Sequence, residues 1–313
     1  MSGSVLFDAP GPKARRLSLT LSIIVGVLIL LGVYWLYSVL AAPRPSSGGI
    51  TLPGMFDASR WDVFANPDVW TFIGQGVLRT LRAAGAAAVL AMILGVVFAL
   101  LRTARTKWIR IPAAIVLEFV RGMPVLLMML FILLGFSSGA YWAVVLALGL
   151  YNGAIIGEAL RAGLAALPRG QREAGLSLGM RELQTRMLIE FPQAFRQMLP
   201  IIVAQLVVLL KDTSLGFIVG YPELIRSTMN NLASFYGNRY LFSFFAVTLV
   251  IYLIMNLSLS WVARWLSKRT DSASRGGRRK KGGKPVEVDP AIAIAQASAA
   301  ARQSESRQGG TPI

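Results

Sequence analysis

Six stretches of this chain are each long enough and apolar enough to cross a hydrocarbon core about 30 Å thick. They lie at 17–42, 83–101, 111–136, 141–157, 198–221 and 241–263, and the first, second and last contain no charged residue. In lipid, every backbone donor and acceptor must find its partner within the protein. None of the six alternates with the period of a barrel strand, so all six are expected to be helices. The expected fold class is an all-α membrane protein with six transmembrane helices. Composition agrees, since 55% hydrophobic and 15% charged residues make a chain of 313 residues too apolar for an ordinary soluble domain.

The first stretch admits a second reading, as a secretory signal, because Lys13, Arg15 and Arg16 precede it and Ala41-Ala42 end it. Its 26 residues exceed a usual signal core, and Tyr34-Trp35 with Tyr37 form an aromatic belt near one end. A retained helix at 17–42 is the expectation.

A formal net charge of +17 first suggests a nucleic-acid partner. The positions of the charges argue otherwise. Of 32 lysines and arginines, 24 fall in 1–16, 102–110, 158–196 and 264–313, and four fall in 43–71, 136–140 and 222–240. Basic residues concentrate on the cytoplasmic side of membrane proteins, so both termini and the long segment 158–196 are expected inside. The excess is topology, and no nucleic-acid partner is expected. The domain reading that follows has a cytoplasmic tail at 1–16, an extra first helix at 17–42 and an extracytoplasmic loop at 43–71. A five-helix core occupies 72–266, and a basic Ala/Ser/Gln-rich tail at 267–313 is expected to be disordered. That tail reads either as a clamp on anionic headgroups or a partner, or as a passive end that fixes topology.

The chain has no cysteine and no histidine, which excludes disulfides, thiolate chemistry, histidine metal sites and a Ser-His-Asp triad within it. No metal site is expected. Gly175-Leu-Ser-Leu-Gly179 matches the nucleophile-elbow spacing but lies in a helical polar segment with no histidine to serve it, so the match is fortuitous. No G-x-x-x-x-G-K-[ST] occurs, so this chain has no P-loop with which to cradle ATP phosphates.

Segment 158–196 is polar and basic, yet it carries Leu176, Leu178, Met180, Leu183, Met187 and Leu188. That is too much apolar surface for a solvated loop, and it calls for a partner groove or the membrane surface. The pattern reads as two short helices. The first, 171–178, places Glu173 in its opening turn, where a carboxylate suits the helix dipole; Gly179 bends the chain, and 181–189 forms a second helix before Pro192.

Intramembrane charges cost about 2.5–3.5 kcal/mol each on insertion scales, so each needs a reason. Lys211-Asp212, with Thr213 and Ser214, either line or gate a pathway, or form an ion pair holding their helix to a neighbour. Arg79 and Arg82, with Thr80 between them, open the second helix near the outer face. They either attract an anionic substrate or snorkel to headgroups. Glu158 and Arg161 are spaced to pair at the cytoplasmic mouth. Gly149, Gly153 and Gly157 recur every four residues as a small-residue ridge, expected to serve close helix packing rather than substrate contact.

Several blocks resemble one family. Glu173-Ala174-Gly175, then Gly179, then Ile189-Glu-Phe-Pro192 resembles the EAA loop of ABC importer permeases, with Gly170-Gln171 at its entry. Lys211-Asp-Thr-Ser-Leu215, Val120-Arg-Gly-Met-Pro124 and Gly76-Val-Leu-Arg-Thr-Leu81 resemble permeases for polar amino acids. Within these, Tyr151-Asn-Gly-Ala most resembles actinobacterial glutamate permeases. Gly175 stands where the pattern has a second alanine and Phe191 where it has leucine; both changes are expected to preserve docking.

The resemblance implies a type I importer bundle whose cytoplasmic coupling helices dock an ATPase dimer that binds ATP and magnesium, this chain holding no cofactor itself. It also implies a second homologous permease subunit, an extracytoplasmic substrate-binding protein and a bacterial plasma-membrane location. Transport of glutamate by alternating access is the implied function; glutamine, aspartate or a basic amino acid are alternative cargoes. A membrane-embedded enzyme using Ser214 and Lys211 is the remote alternative.

Overall fold

The computed structural model describes residues 11–45 and 51–279. It divides into two units, Met1–Ala263 and Arg264–Ile313, and the first carries every candidate site residue.

The helices are α1 (Pro12–Ala41), α2 (Pro67–Arg102), α3 (Lys107–Gly122), α4 (Val125–Phe136) and α5 (Ala140–Ala165). They continue with α6 (Arg169–Ser177), α7 (Glu182–Thr185), α8 (Phe191–Asp212), α9 (Ala233–Tyr236) and α10 (Leu241–Arg279). A two-residue antiparallel pair, β1 (Arg44–Pro45) and β2 (Thr51–Leu52), follows α1 in the register Arg44↔Leu52 and Pro45↔Thr51.

The bundle is organised on α2 and α5, which meet along small residues. On α2 the buried positions Ala83, Ala87, Ala91, Gly95 and Ala99 recur every four residues. Facing them are Gly149, Gly153 and Gly157. A Cβ at these glycines would lie 2.5 Å from Leu90 Cδ2, 2.9 Å from Leu94 Cβ and 2.8 Å from Phe98 Cβ respectively. Small residues on both sides let the two backbones approach, which supplies the dispersion contact that lipid cannot. The glycine ridge is thus a packing device.

The order of those contacts makes α2 and α5 parallel. The chain must therefore recross the bundle between them, and the α3–α4 pair is what recrosses. The expected single helix 111–136 is corrected here: α3 and α4 meet at 103° across Met123 and Pro124. Pro124 has no N–H to donate and pushes Met123 into extended backbone (φ −81°, ψ 130°), so the helix cannot continue. Among the described residues five helices are long and apolar enough to span a membrane, and the bent pair makes six.

Between α4 and α5 the break at Ser137-Ser138-Gly139 is tight, with φ values of +49° at Ser137 and +77° at Gly139. Helix α8 runs antiparallel to α5. Its beginning lies on Gly163, its middle donates Gln205 Nε2 to Asn152 Oδ1 (2.7 Å), and the turn beyond it brings Gly216 against Val144.

Other boundaries also differ from expectation. Helix α2 begins at Pro67 rather than near 83, because Asn66 caps it (Oδ1 accepts from Asp68 N–H at 2.9 Å) and Pro67 occupies the first turn. Arg79 and Arg82 are therefore well inside α2 rather than at its opening. Segment 43–71, read as a loop, contains short 3-10 turns at Ala58–Arg60 and Asp62–Ala65. Its Arg60 is buried, donating to the carbonyls of Pro53 (3.0 Å) and Arg239 (2.9 Å). The fifth helix stops at Asp212 and gives way to a 3-10 turn, Thr213–Phe217, rather than running to 221. Helix α10 passes the expected break at 266 and reaches Arg279; the rest of the expected tail lies outside the described residues.

Candidate functional site

The loop expected to couple to a partner is a compact helical hairpin. Gly179, at φ +79°, turns the chain between α6 and α7 in a conformation that favours glycine. The N–H of Arg181 is then capped by Gln184 Oε1 at 2.9 Å, which starts α7. Gly175 is buried at the crossing of the two arms, where a Cβ would stand 2.6 Å from Thr185 Cγ2 and 3.0 Å from Ile189 Cδ1. The departure from the family triplet thus has a local partner, since Thr185 fills the space that an alanine methyl would take. Gln193 Nε2 donates to Gln171 Oε1 at 3.2 Å, tying α6 to the start of α8.

Two expectations about this hairpin are corrected. Helix α6 starts at Arg169, which puts Glu173 in its second turn, beyond the reach of the helix-dipole argument. The second arm does not end before Pro192. It passes from α7 through a π-helical turn, Arg186–Glu190, directly into α8. There Phe191 N–H bonds back to the Arg186 carbonyl, five residues away. The wider turn absorbs the donor that Pro192 lacks, so the proline is carried in continuous helix.

The hairpin's outer surface is apolar with a carboxylate set in it. Leu178, Leu183 and Leu188 are 81%, 64% and 68% exposed. Gly170, Gln171, Glu173, Ala174 and Pro192 are exposed as well, whereas Ile189 is half-buried against Gly175. Beside Glu173 lies a cavity of about 380 Å³ with Arg169, Arg172 and Glu190 in its wall. This surface is chemically suited to a protein partner: apolar area to bury, and charges of both signs to fix its register.

The intramembrane charges are placed as follows. Glu158 binds Arg161 through Nε (2.9 Å) and Nη2 (2.6 Å), as its spacing suggested, and also meets Arg102 of α2 at 3.4 Å. Arg82 stacks over the Tyr141 ring, 5.4 Å from its centroid. Thr80 is buried, and its Oγ1 donates to the Gly76 carbonyl (2.9 Å) and accepts from Leu224 N–H (3.1 Å). The Arg79 carbonyl accepts from the Tyr221 hydroxyl at 2.9 Å. Thr213 is buried, donating to the Leu210 carbonyl at 2.6 Å.

Lys211 and Ser214 share a cavity of about 490 Å³ between α8, the π-helical segment Arg226–Leu232 and α10. Its wall is almost wholly apolar, the hydroxyls of Thr248 and Tyr252 being turned to Thr228 and Glu223. Asp212 is half-buried. Among the described residues neither Lys211 nor Asp212 forms an ion pair within 4 Å.

One functional candidate escaped sequence reasoning. Glu223, expected in an outer loop, is fully buried and accepts from Ile225 N–H, Arg226 N–H (both 2.8 Å) and the Tyr252 hydroxyl (2.7 Å). The available signal was an acid directly after Pro222 and just ahead of a helical run, the position of a helix cap.

A parallel small-residue helix pair, a broken recrossing helix and a helical hairpin with an apolar outer face define a multi-helix membrane protein with a surface suited to a partner. Residues 68–272 match the family described as the binding-protein-dependent transport system inner membrane component, and the chain belongs to that family.

It is an amino-acid ABC transporter permease. The glutamate transport system permease protein GluD of Corynebacterium glutamicum is 37% identical to it over 237 residues, covering 73% of this chain and 84% of that protein. The probable glutamine ABC transporter permease protein GlnP of Bacillus subtilis is 34% identical, covering 63% of this chain and 93% of its own. The arginine transport system permease protein ArtQ of Bacillus subtilis is 29% identical over 64% and 93% of the respective chains. Among solved structures, a chain of an amino acid ABC transporter crystallised with histidines superposes with a TM-score of 0.57 at 29% identity, covering 64% of this chain and 94% of that one. The chain is no enzyme, and ATP is hydrolysed by a partner ATPase.

Proposed function

We propose that this permease imports glutamate. The observation that carries the reading is the 37% identity with the glutamate permease of Corynebacterium glutamicum, extending over 73% of this chain. The chain sits in the bacterial plasma membrane with both termini and segment 158–196 in the cytoplasm, as the distribution of lysine and arginine supports. It pairs with a second, homologous permease to form a heterodimer, and an extracytoplasmic binding protein delivers the substrate.

Glu173, Ala174 and the exposed leucines of the hairpin dock the ATPase, with Gly179 providing the bend. Closure of the ATPase dimer on ATP moves the hairpin, and the bundle alternates between inward and outward access. Lys211, with Ser214, lines the pathway and meets the substrate's anionic groups; Thr80, Arg79 and Arg82 stand toward its outer mouth.

The test is uptake by proteoliposomes holding this permease, its partner permease, the ATPase and the binding protein. ATP-driven uptake of labelled L-glutamate is expected, outcompeted by unlabelled glutamate and little affected by glutamine or arginine. Stronger competition by glutamine, aspartate or arginine would reassign the cargo. Glu173→Lys or Gly179→Pro is expected to abolish uptake while membrane insertion is retained. Undiminished uptake in those variants would remove the docking role.

A further inference from the structure

The hairpin is joined to the rest of the bundle along the chain and through side chains. Along the chain, the short link Ala166-Leu167-Pro168 leads in from α5, and α8 leads on from the second arm. Helix α8 is softened by the π-helical turn Arg186–Glu190 at one end and Pro200 inside it, and it ends in a 3-10 turn.

The other connection is made by side chains. Arg186 Nη1 donates to the carbonyl of Thr103 at 2.9 Å, and Thr103 is the residue that caps α2, its own N–H bonding to the Ala99 and Leu100 carbonyls. Arg105, in the connector just beyond, pairs with Glu182 of the second arm, and Glu182 also takes Arg172 from α6. One carboxylate thus joins both arms of the hairpin to the end of α2.

Helix α2 is suited to carry a displacement. Its 36 residues are about 54 Å long, its only proline is at the first position, and the glycine ridge locks it along α5. In its first half, at Gly76–Thr80, it grips the segment that follows the 3-10 turn. A Cβ at Gly76 would lie 3.1 Å from Leu224 Cα, Thr80 receives Leu224 N–H, and the Arg79 carbonyl receives the Tyr221 hydroxyl. Ile225, in the same segment, forms part of the wall of the cavity that holds Lys211.

We propose that Arg186 and Glu182 are positioning residues that latch the coupling hairpin to the cap of α2, and that α2 carries the hairpin's movement to the segment around Leu224 and the cavity wall. The latch rests on the reading of the hairpin as the ATPase docking element. Arg186 is its main member: its side chain is 19% exposed, whereas that of Arg105 is 72% exposed and its ion pair is screened.

The test compares Arg186→Ala and Arg186→Lys in the full transporter, reconstituted with its ATPase and binding protein and supplied with labelled glutamate. The readout is ATP hydrolysed per glutamate imported. Arg186→Ala removes the charge-assisted hydrogen bond to Thr103 along with a longer contact to Glu190 (3.9 Å) within the second arm. It is expected to raise that ratio about tenfold, with the amount of ATPase retained by the purified complex unchanged. Glu190→Gln, which loses only the second contact, is expected to leave the ratio at the wild-type value. Arg186→Lys, which keeps a cationic donor, is expected to restore most of the coupling.

An unchanged ratio in Arg186→Ala overturns the latch. Loss of ATPase from the complex also overturns it, because Arg186 then belongs to the docking face. Should Arg186→Ala fail to fold, Glu182→Gln decides in the same assay, where a raised ratio supports the latch and a wild-type ratio overturns it. Failure of the unmodified complex to drive any uptake with ATP would instead remove the transport reading beneath it.

Discussion

The Tyr252 hydroxyl donates to Glu223 Oε2 at 2.7 Å, joining α10 to the segment that follows the 3-10 turn. Glu223 is fully buried and among the described residues has no ion-pair partner within 4 Å, so three donated hydrogen bonds stand in for the water it has lost. Removing one is expensive because the carboxylate remains buried. Tyr252→Phe is expected to lower stability by about 1.5–3 kcal/mol. A drop in the thermal midpoint of the purified permease in detergent checks this, with Tyr34→Phe on the exposed face of α1 as a control expected to change nothing.

Gly175 and Thr185 share one site at the crossing of the hairpin arms, and only one of them has room for a methyl group there. Gly175→Ala alone is expected to force the arms apart, at about 1–3 kcal/mol of local overpacking. Adding Thr185→Ser, which removes the methyl that lies 2.6 Å from the new Cβ, is expected to recover most of the loss. The measurement is retention of the ATPase during purification. Equal retention in the single and double variants would show that the two residues are not coupled.

The sequence made the helices legible where composition was uniform and hid their ends where local chemistry decided. The uncharged stretches marked α1, α2 and α10, because burial in lipid leaves no cheaper state. Hydropathy could not see that Met123-Pro124 breaks an otherwise apolar run, nor that a π-helical turn would let Pro192 remain inside a helix. For the hairpin, spacing located Gly179 at the bend and the leucines on an exposed face. It could not place Arg186 or Glu182, whose partners Thr103 and Arg105 lie some 80 residues earlier and meet them only once α2 and α5 have packed. Glu223 was missed for the same reason: its burial depends on Tyr252, from another helix.

The parallel contact of α2 and α5 makes a prediction that separates packing from helix propensity. A Cβ at Gly153 would lie 2.9 Å from Leu94 Cβ and 3.2 Å from the Ala91 carbonyl oxygen. Neither atom can swing away, because both are fixed to the α2 backbone, so even the smallest side chain must push the helices apart. Gly85, on the same helix as those neighbours, has nothing within 4 Å of its Cβ position. Alanine there adds helix propensity without a clash. Gly153→Ala is expected to cost about 1–3 kcal/mol through overpacking. Gly85→Ala is expected to be neutral or to stabilise by up to about 1 kcal/mol. Thermal midpoints of the two purified variants against the parent check both signs, and a Gly153→Ala protein as stable as Gly85→Ala would mean that the two helices do not meet at this ridge.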